Sequence, residues 1–159
     1  MDLAETRLQY SAENCSIQGA LEIVGEKWSL LVLREAFFGI RRFDDFQRAL
    51  GCARNLLSQR LGKLVEQGVL ERVAYREPGQ RRRYEYQLTQ KGRDLLPVLV
   101  ALMQWGDRWT ADEDGPPVEL LHRGCGDAVH AVLACDEHGP LAAREVQAMP
   151  GPGARAAAA

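Results

Sequence analysis

Three histidines in 159 residues, all between positions 122 and 138, leave most of the chain without the side chain most often used for proton transfer. No phosphate-binding glycine loop and no nucleophile motif occurs, so nothing in the chain supports an enzyme. No apolar run approaches the roughly 20 residues that cross a bilayer. The start, Met1-Asp2-Leu3-Ala4-Glu5, lacks the basic and apolar regions of a signal peptide. The expectation is a cytoplasmic protein with no membrane partner. Its four cysteines then read as reduced thiols, metal ligands or redox switches, not as a disulfide framework.

A large excess of positive charge is also missing, since the net charge is −2. That value hides a partition. Residues 1–40 carry 3 basic and 6 acidic side chains, residues 41–93 carry 13 and 6, and residues 94–159 carry 4 and 10. An anionic partner therefore belongs to the middle third, and double-stranded DNA fits it. With 46% hydrophobic residues the chain has enough apolar material for a packed core.

The stretch Ala53 to Gln67, between Gly51 and Gly68, reads as one helix. At about 100° per residue, Leu57, Leu61, Leu64 and Val65 fall on one side, and Asn55, Ser58, Gln59, Gly62 and Lys63 on the other. Arg54, Asn55, Ser58 and Gln59 in the first two turns can all hydrogen-bond base edges or phosphates, at the positive end of the helix dipole. Arg60 and Lys63 extend the list of candidate DNA contacts.

Upstream, residues 1–14 show no sustained period and read as an N-terminal arm. A short helix is expected from Ser16 to Gly25 on Ile17, Ala20, Leu21 and Val24. A second starts near Lys27, apolar nearly all round and hence central, and ends at Gly39. Phe43, Phe46 and Leu50 mark a third, with Asp44 and Asp45 in its first turn. Gly51-Cys52 leaves only a tight corner before the next helix, which is the sequence form of a helix-turn-helix.

Past Gly68 the period changes to two. Leu70 to Tyr75 and Arg83 to Leu88 read as strands joined by a turn at Glu77-Pro78-Gly79-Gln80. The hairpin tip carries Arg76, Arg81, Arg82 and Arg83, placed to straddle a phosphate backbone or enter a minor groove. Thr89 caps a following helix, which Pro97 must bend or divide. Its apolar surface, from Leu95 to Trp109, is broader than the small core can cover, and a second subunit is the simplest partner. The acidic, proline-bearing run Asp112 to Pro117 reads as a boundary. Beyond it, Val118 to Leu121, Ala128 to Ala134 and Glu145 to Ala148 suggest a small β appendage over 118–150, followed by a tail at 151–159 without fixed structure.

Cys15, Val24-Gly25-Glu26-Lys27-Trp28, Gly39-Ile40-Arg41-Arg42-Phe43, Leu57-Ser58-Gln59-Arg60-Leu61, Gly68-Val69-Leu70, Tyr84 to Thr89, Gly92 and Trp105 together resemble the HxlR-type winged helix-turn-helix regulators of bacteria. The resemblance covers Cys15 to about Trp109. It implies a mainly α, α+β winged domain over 15–110, acting as a homodimeric transcription regulator paired through its first and last helices, with 53–67 as recognition helix and 75–84 as wing. Ala53 stands where members often have a capping Ser, a loss of about 1 kcal/mol of helix stability.

The cysteines pose two further questions. His122-x2-Cys125 and Cys135-x2-His138 are paired ligands of the kind tetrahedral zinc takes, and zinc is the one candidate cofactor. A degenerate appendage that keeps them for packing is the plain alternative. A helix dipole favours the reactive thiolate, and Cys15 and Cys52 stand beside expected helix starts. The resemblance places Cys15 at the dimer contact, where some members sense oxidants. The rival function is a metal- or thiol-regulated protein-interaction module, against which the charged helix face and the basic middle third both speak.

Overall fold

A computed structural model describes residues 3–79 and 81–157, so Met1, Asp2, Gln80 of the expected turn and the last two alanines lie outside it. The helices and strands follow the chain as α1 (Leu3–Leu8), α2 (Ser16–Val24), α3 (Lys27–Phe37), α4 (Phe43–Leu50), α5 (Arg54–Glu66), β1 (Leu70–Tyr75), β2 (Arg83–Leu88), α6 (Gln90–Arg93), α7 (Leu96–Trp109), β3 (Ala134–Cys135) and β4 (Gly139–Pro140). Two compact units result: one from Val24 to Ala131, the other from the residues up to Ile23 together with those from Val132 onward. The division falls later in the chain than the acidic, proline-bearing run.

In the first unit α3 is central, as its all-round apolar surface requires. Val32 and Leu33 are fully shielded from solvent, as are Phe46 of α4 and Leu61 and Leu64 of α5. Between α4 and α5 the chain turns at Gly51, whose φ of +63° is one that L side chains rarely adopt. Its N–H closes α4 on the Gln47 carbonyl at 2.9 Å.

Strands β1 and β2 pair antiparallel, Leu70 opposite Leu88 and Tyr75 opposite Arg83. The segment before α4 joins their edge: Arg42 bridges Glu85, and the Tyr86 N–H donates to the Arg41 carbonyl at 2.8 Å. Phe46 meets the Tyr86 ring edge-on, centroids 6.4 Å apart, which fixes the hairpin against the helix-turn-helix.

Pro97 divides the expected long helix. It sits in the first turn of α7, where a missing N–H costs no helical bond, and α6 forms a separate turn before it. The Thr89 hydroxyl accepts the Gly92 N–H and donates to the carbonyl of Gly68, so it caps α6 and pins it to the end of α5. After α7, the Gln104 side chain donates to the Val129 carbonyl at 2.8 Å and accepts the Ala131 N–H at 2.9 Å. One side-chain amide thus pairs with the segment that follows as a strand edge would.

In the second unit, the N-terminal residues and the tail are ordered on each other, contrary to the expectation of a loose arm and a structureless end. Residues of the arm form α1, and Tyr10 bridges Ala156. Ser11 N–H donates to the Arg155 carbonyl and Ala157 N–H to the Gln9 carbonyl, each at 2.8 Å. Neither segment has a hydrophobic period of its own. Each satisfies its backbone groups on a partner remote in sequence, which no periodicity can announce.

The expected β appendage shrinks to two-residue ladders. Among the described residues beyond 110, β3 pairs β4, Leu121 bridges Ala128, and Ala143–Glu145 is a 3-10 turn where a strand was expected to begin. Short apolar runs so rich in alanine and turn residues bury too little to sustain longer strands.

Candidate nucleic-acid interface

The inner row of α5, Leu57, Leu61 and Leu64, is locked in the core, and that fixes what the helix turns outward. Asn55, Ser58, Gln59 and Gly62 are exposed, with Lys63 half-buried at the far end of the row. Asn and Gln carry donor and acceptor together, the combination that reads adenine bidentately. Ala53 is extended, φ −63° and ψ 139°, and provides no side-chain cap. The first backbone N–H groups of α5 therefore keep their capacity for a phosphate oxygen.

Arg54 is exposed but not loose. Its guanidinium donates to Asp44 Oδ1 at 3.1 Å and to Gln47 Oε1 at 2.7 Å, and lies 4.7 Å over the Phe43 ring. Arg60 departs from expectation. Its guanidinium pairs with the Glu26 carboxylate and its side chain is only 19% exposed, so it ties α5 to the start of α3 and is not offered to DNA with the others. Its spacing held the signal: 60 stands three residues after Leu57 and four before Leu64, on the apolar face.

The hairpin tip carries Arg76, Arg81, Arg82 and Arg83, all exposed. Arg82 lies 5.8 Å from the Tyr84 ring centre. Two further arginines were not among the expected DNA contacts. Arg72 stacks over Tyr84 at 4.2 Å. Arg42 stacks over Tyr75 at 4.6 Å and pairs with Glu77 at 3.0 Å and Glu85 at 3.4 Å, which holds the hairpin to the start of α4. Arg42, Arg54, Arg72 and Arg83 line one open groove with Phe43, Tyr75 and Tyr84, and Asp44 and Asp45 also border it. Stacking on aromatic rings holds the guanidiniums of Arg42, Arg54 and Arg72 in place along it, a suitable arrangement for phosphate.

The family model described as HxlR-like helix-turn-helix matches residues 23–114. The chain belongs to the HxlR family. An uncharacterized HTH-type transcriptional regulator of Mycobacterium tuberculosis is 46% identical over 155 residues, covering 97% of each chain. Among solved structures, PA1607, a candidate transcription factor, matches at a TM-score of 0.76 and 38% identity over 87% of this chain and 96% of that one. The reduced form of the redox regulator HypR matches at 0.53 and 27%, over 58% of this chain and 90% of its own. As an HxlR-family member the chain is a DNA-binding transcriptional regulator of winged helix-turn-helix fold.

The cysteines of this HxlR member sit in unlike surroundings. Cys15 is half-buried at the start of α2, where the backbone N–H groups of Gln18 and Ile17 hold its thiol below the ordinary value. Cys52, in the helix-turn-helix corner, is 8% exposed, and burial there removes it as an accessible reactive thiol. His122 Nδ1 lies 3.2 Å from Cys125 Sγ, and Cys135 Sγ lies 3.3 Å from His138 Nδ1. Among the described residues no three or more His, Cys, Asp or Glu side chains gather as a metal-holding group, so the expected four-ligand set is present as two pairs. No helix among those residues is long and apolar enough to cross a membrane.

Proposed function

We propose that this regulator binds a specific duplex sequence as a homodimer, with α5 of each copy in the major groove and the arginine-bearing hairpin on the flanking backbone or minor groove. The carrying observation is the outward row Asn55, Ser58 and Gln59 on a helix whose inner row is fixed in the core. Such a helix presents base-reading groups without freedom to reorient. Pairing of two copies is supported by α7, whose Val98, Leu102, Trp105 and Trp109 are exposed at spacings of four, three and four, the stripe of a helix that packs on another. Control through Cys15 is supported by its place at the α2 N-terminus and by the likeness to a redox regulator.

Selection from a random duplex library, followed by titration of the selected duplex, tests the DNA reading. A single enriched sequence is expected. Gln59→Ala lowers discrimination against its mutated forms by on the order of 1–3 kcal/mol. The triple substitution of Arg81, Arg82 and Arg83 by Ala weakens all duplexes alike and flattens the salt dependence by about one unit of slope per lost phosphate contact. Unchanged affinity of the triple variant at moderate salt takes the hairpin out of the interface.

A further inference from the structure

Beyond the DNA-binding surface, two turns far apart in character from it share one design. Each places a histidine and a cysteine three residues apart, follows them with a glycine, and draws imidazole nitrogen and sulfur together. In His122-Arg123-Gly124-Cys125-Gly126 the separation is 3.2 Å, and Gly126 has φ +78°. In Cys135-Asp136-Glu137-His138-Gly139 it is 3.3 Å, and Gly139 has φ +67°. The positive φ is what lets the chain double back directly after the second donor, and glycine is the residue that adopts it without strain.

The turns are closed by the backbone as well. His122 N–H donates to the Asp127 carbonyl and Gly126 N–H to the His122 carbonyl, both at 2.8 Å. His138 N–H donates to Cys135 Sγ at 3.3 Å, a contact that stabilises a thiolate. A Cβ at Gly124 would stand 2.9 Å from the His122 ring, so glycine there leaves the imidazole its room beside the sulfur.

A lone thiol–imidazole hydrogen bond accounts for one such pair, but not for two turns of the same build on exposed loops, where water meets polar groups at no cost. Zinc accounts for both. Bonds of about 2.3 Å to sulfur and 2.0–2.1 Å to nitrogen at a tetrahedral angle set the two donors about 3.6 Å apart. Each pair needs to open by only a few tenths of an ångström.

We propose that both turns are zinc-binding half-sites. Each gives an ion one thiolate and one imidazole, and each thiol releases its proton to solvent on binding. A tetrahedral ion has four bonds, so two turns serve each ion, and two turns per chain make one zinc per chain. This reading is independent of the DNA surface, and its tests do not use DNA.

The full chain, stripped with chelator and shown by circular dichroism to remain folded, is titrated with Co²⁺ and then with Zn²⁺. Expected are the visible bands of tetrahedral cobalt with thiolate ligands, saturating at one ion per chain and displaced by zinc. Cys125→Ser and Cys135→Ser each abolish them. Without any substitution, alkylation and mass spectrometry give a second measure: Cys125 and Cys135 are modified at least tenfold more slowly with zinc present, while the rate at Cys15 is unchanged. Absence of bands and of protection in the folded chain overturns the proposal, as does binding that survives both serine variants. Loss of binding in one variant alone overturns the pairing of turns.

Discussion

Cys15 shows how one residue acquires chemistry from its position alone. The N–H groups of Gln18, first, and Ile17 donate to its sulfur, and nearby Arg7 adds a smaller contribution of the same sign. The thiolate is favoured, so the pKa is lowered. The stabilising contact is present at pH above the ordinary thiol value and is lost as pH falls through the depressed one. In the folded protein the rate of iodoacetamide addition to Cys15 is therefore expected to rise with pH at a midpoint below that of a model thiol, with Cys52 silent until unfolding. If Cys15 is the sensor, a mild thiol oxidant weakens operator binding by wild type and leaves Cys15→Ser unaffected; equal responses of the two proteins place the signal elsewhere. Arg60 makes the opposite point. Its place on the candidate DNA-contacting helix marked it for DNA, whereas its spacing relative to Leu57 and Leu64 turned it inward to Glu26.

At the scale of elements, β1 and β2 have the bounds read from their period of two, and α5 differs from its expected span by one residue at each end. These features were legible because periodicity, glycine corners and caps are local. What was not legible joins elements distant in sequence: the bridge of Arg42 to Glu85, the stack of Arg72 on Tyr84, and the pairing of the N-terminal residues with the tail. Such contacts depend on tertiary placement, so for Arg42 and Arg72 the residue type was visible and the role was not. Gly92 is a further contact of this kind. It brings α6 against the end of α5, and a Cβ there would lie 2.3 Å from the Val69 carbonyl oxygen and 2.9 Å from Leu88 Cδ2. The first neighbour is backbone and cannot step aside. Gly92→Ala is expected to destabilise the domain by about 1–3 kcal/mol despite the better helix propensity of alanine. Equilibrium unfolding in urea measures it, and a neutral or stabilising result means that α6 is not seated as described.

For the whole molecule, the proposed dimer turns on the distance between its two copies of α5. One chain leaves Trp105 60% and Trp109 65% exposed beside the exposed Val98 and Leu102, an apolar stripe of the kind that marks interaction surfaces. If that stripe joins two copies about a twofold axis, each copy presents one α5, and the operator is a pair of inverted half-sites about one or two helical turns apart. Leu102→Glu with Trp105→Glu then sets four carboxylates into the shared face of the dimer. Sedimentation is expected to show monomer, circular dichroism an intact fold, since both side chains are exposed in the single chain, and binding to the full operator at least tenfold weaker. Binding to an isolated half-site should be unchanged, because α5 and the hairpin are untouched. Inserting five base pairs between the half-sites of the wild-type operator gives the same loss by another route, as it rotates one half-site to the opposite side of the duplex. A dimer that survives the double substitution, or an operator indifferent to the insertion, means that α7 does not set the spacing of the two helices.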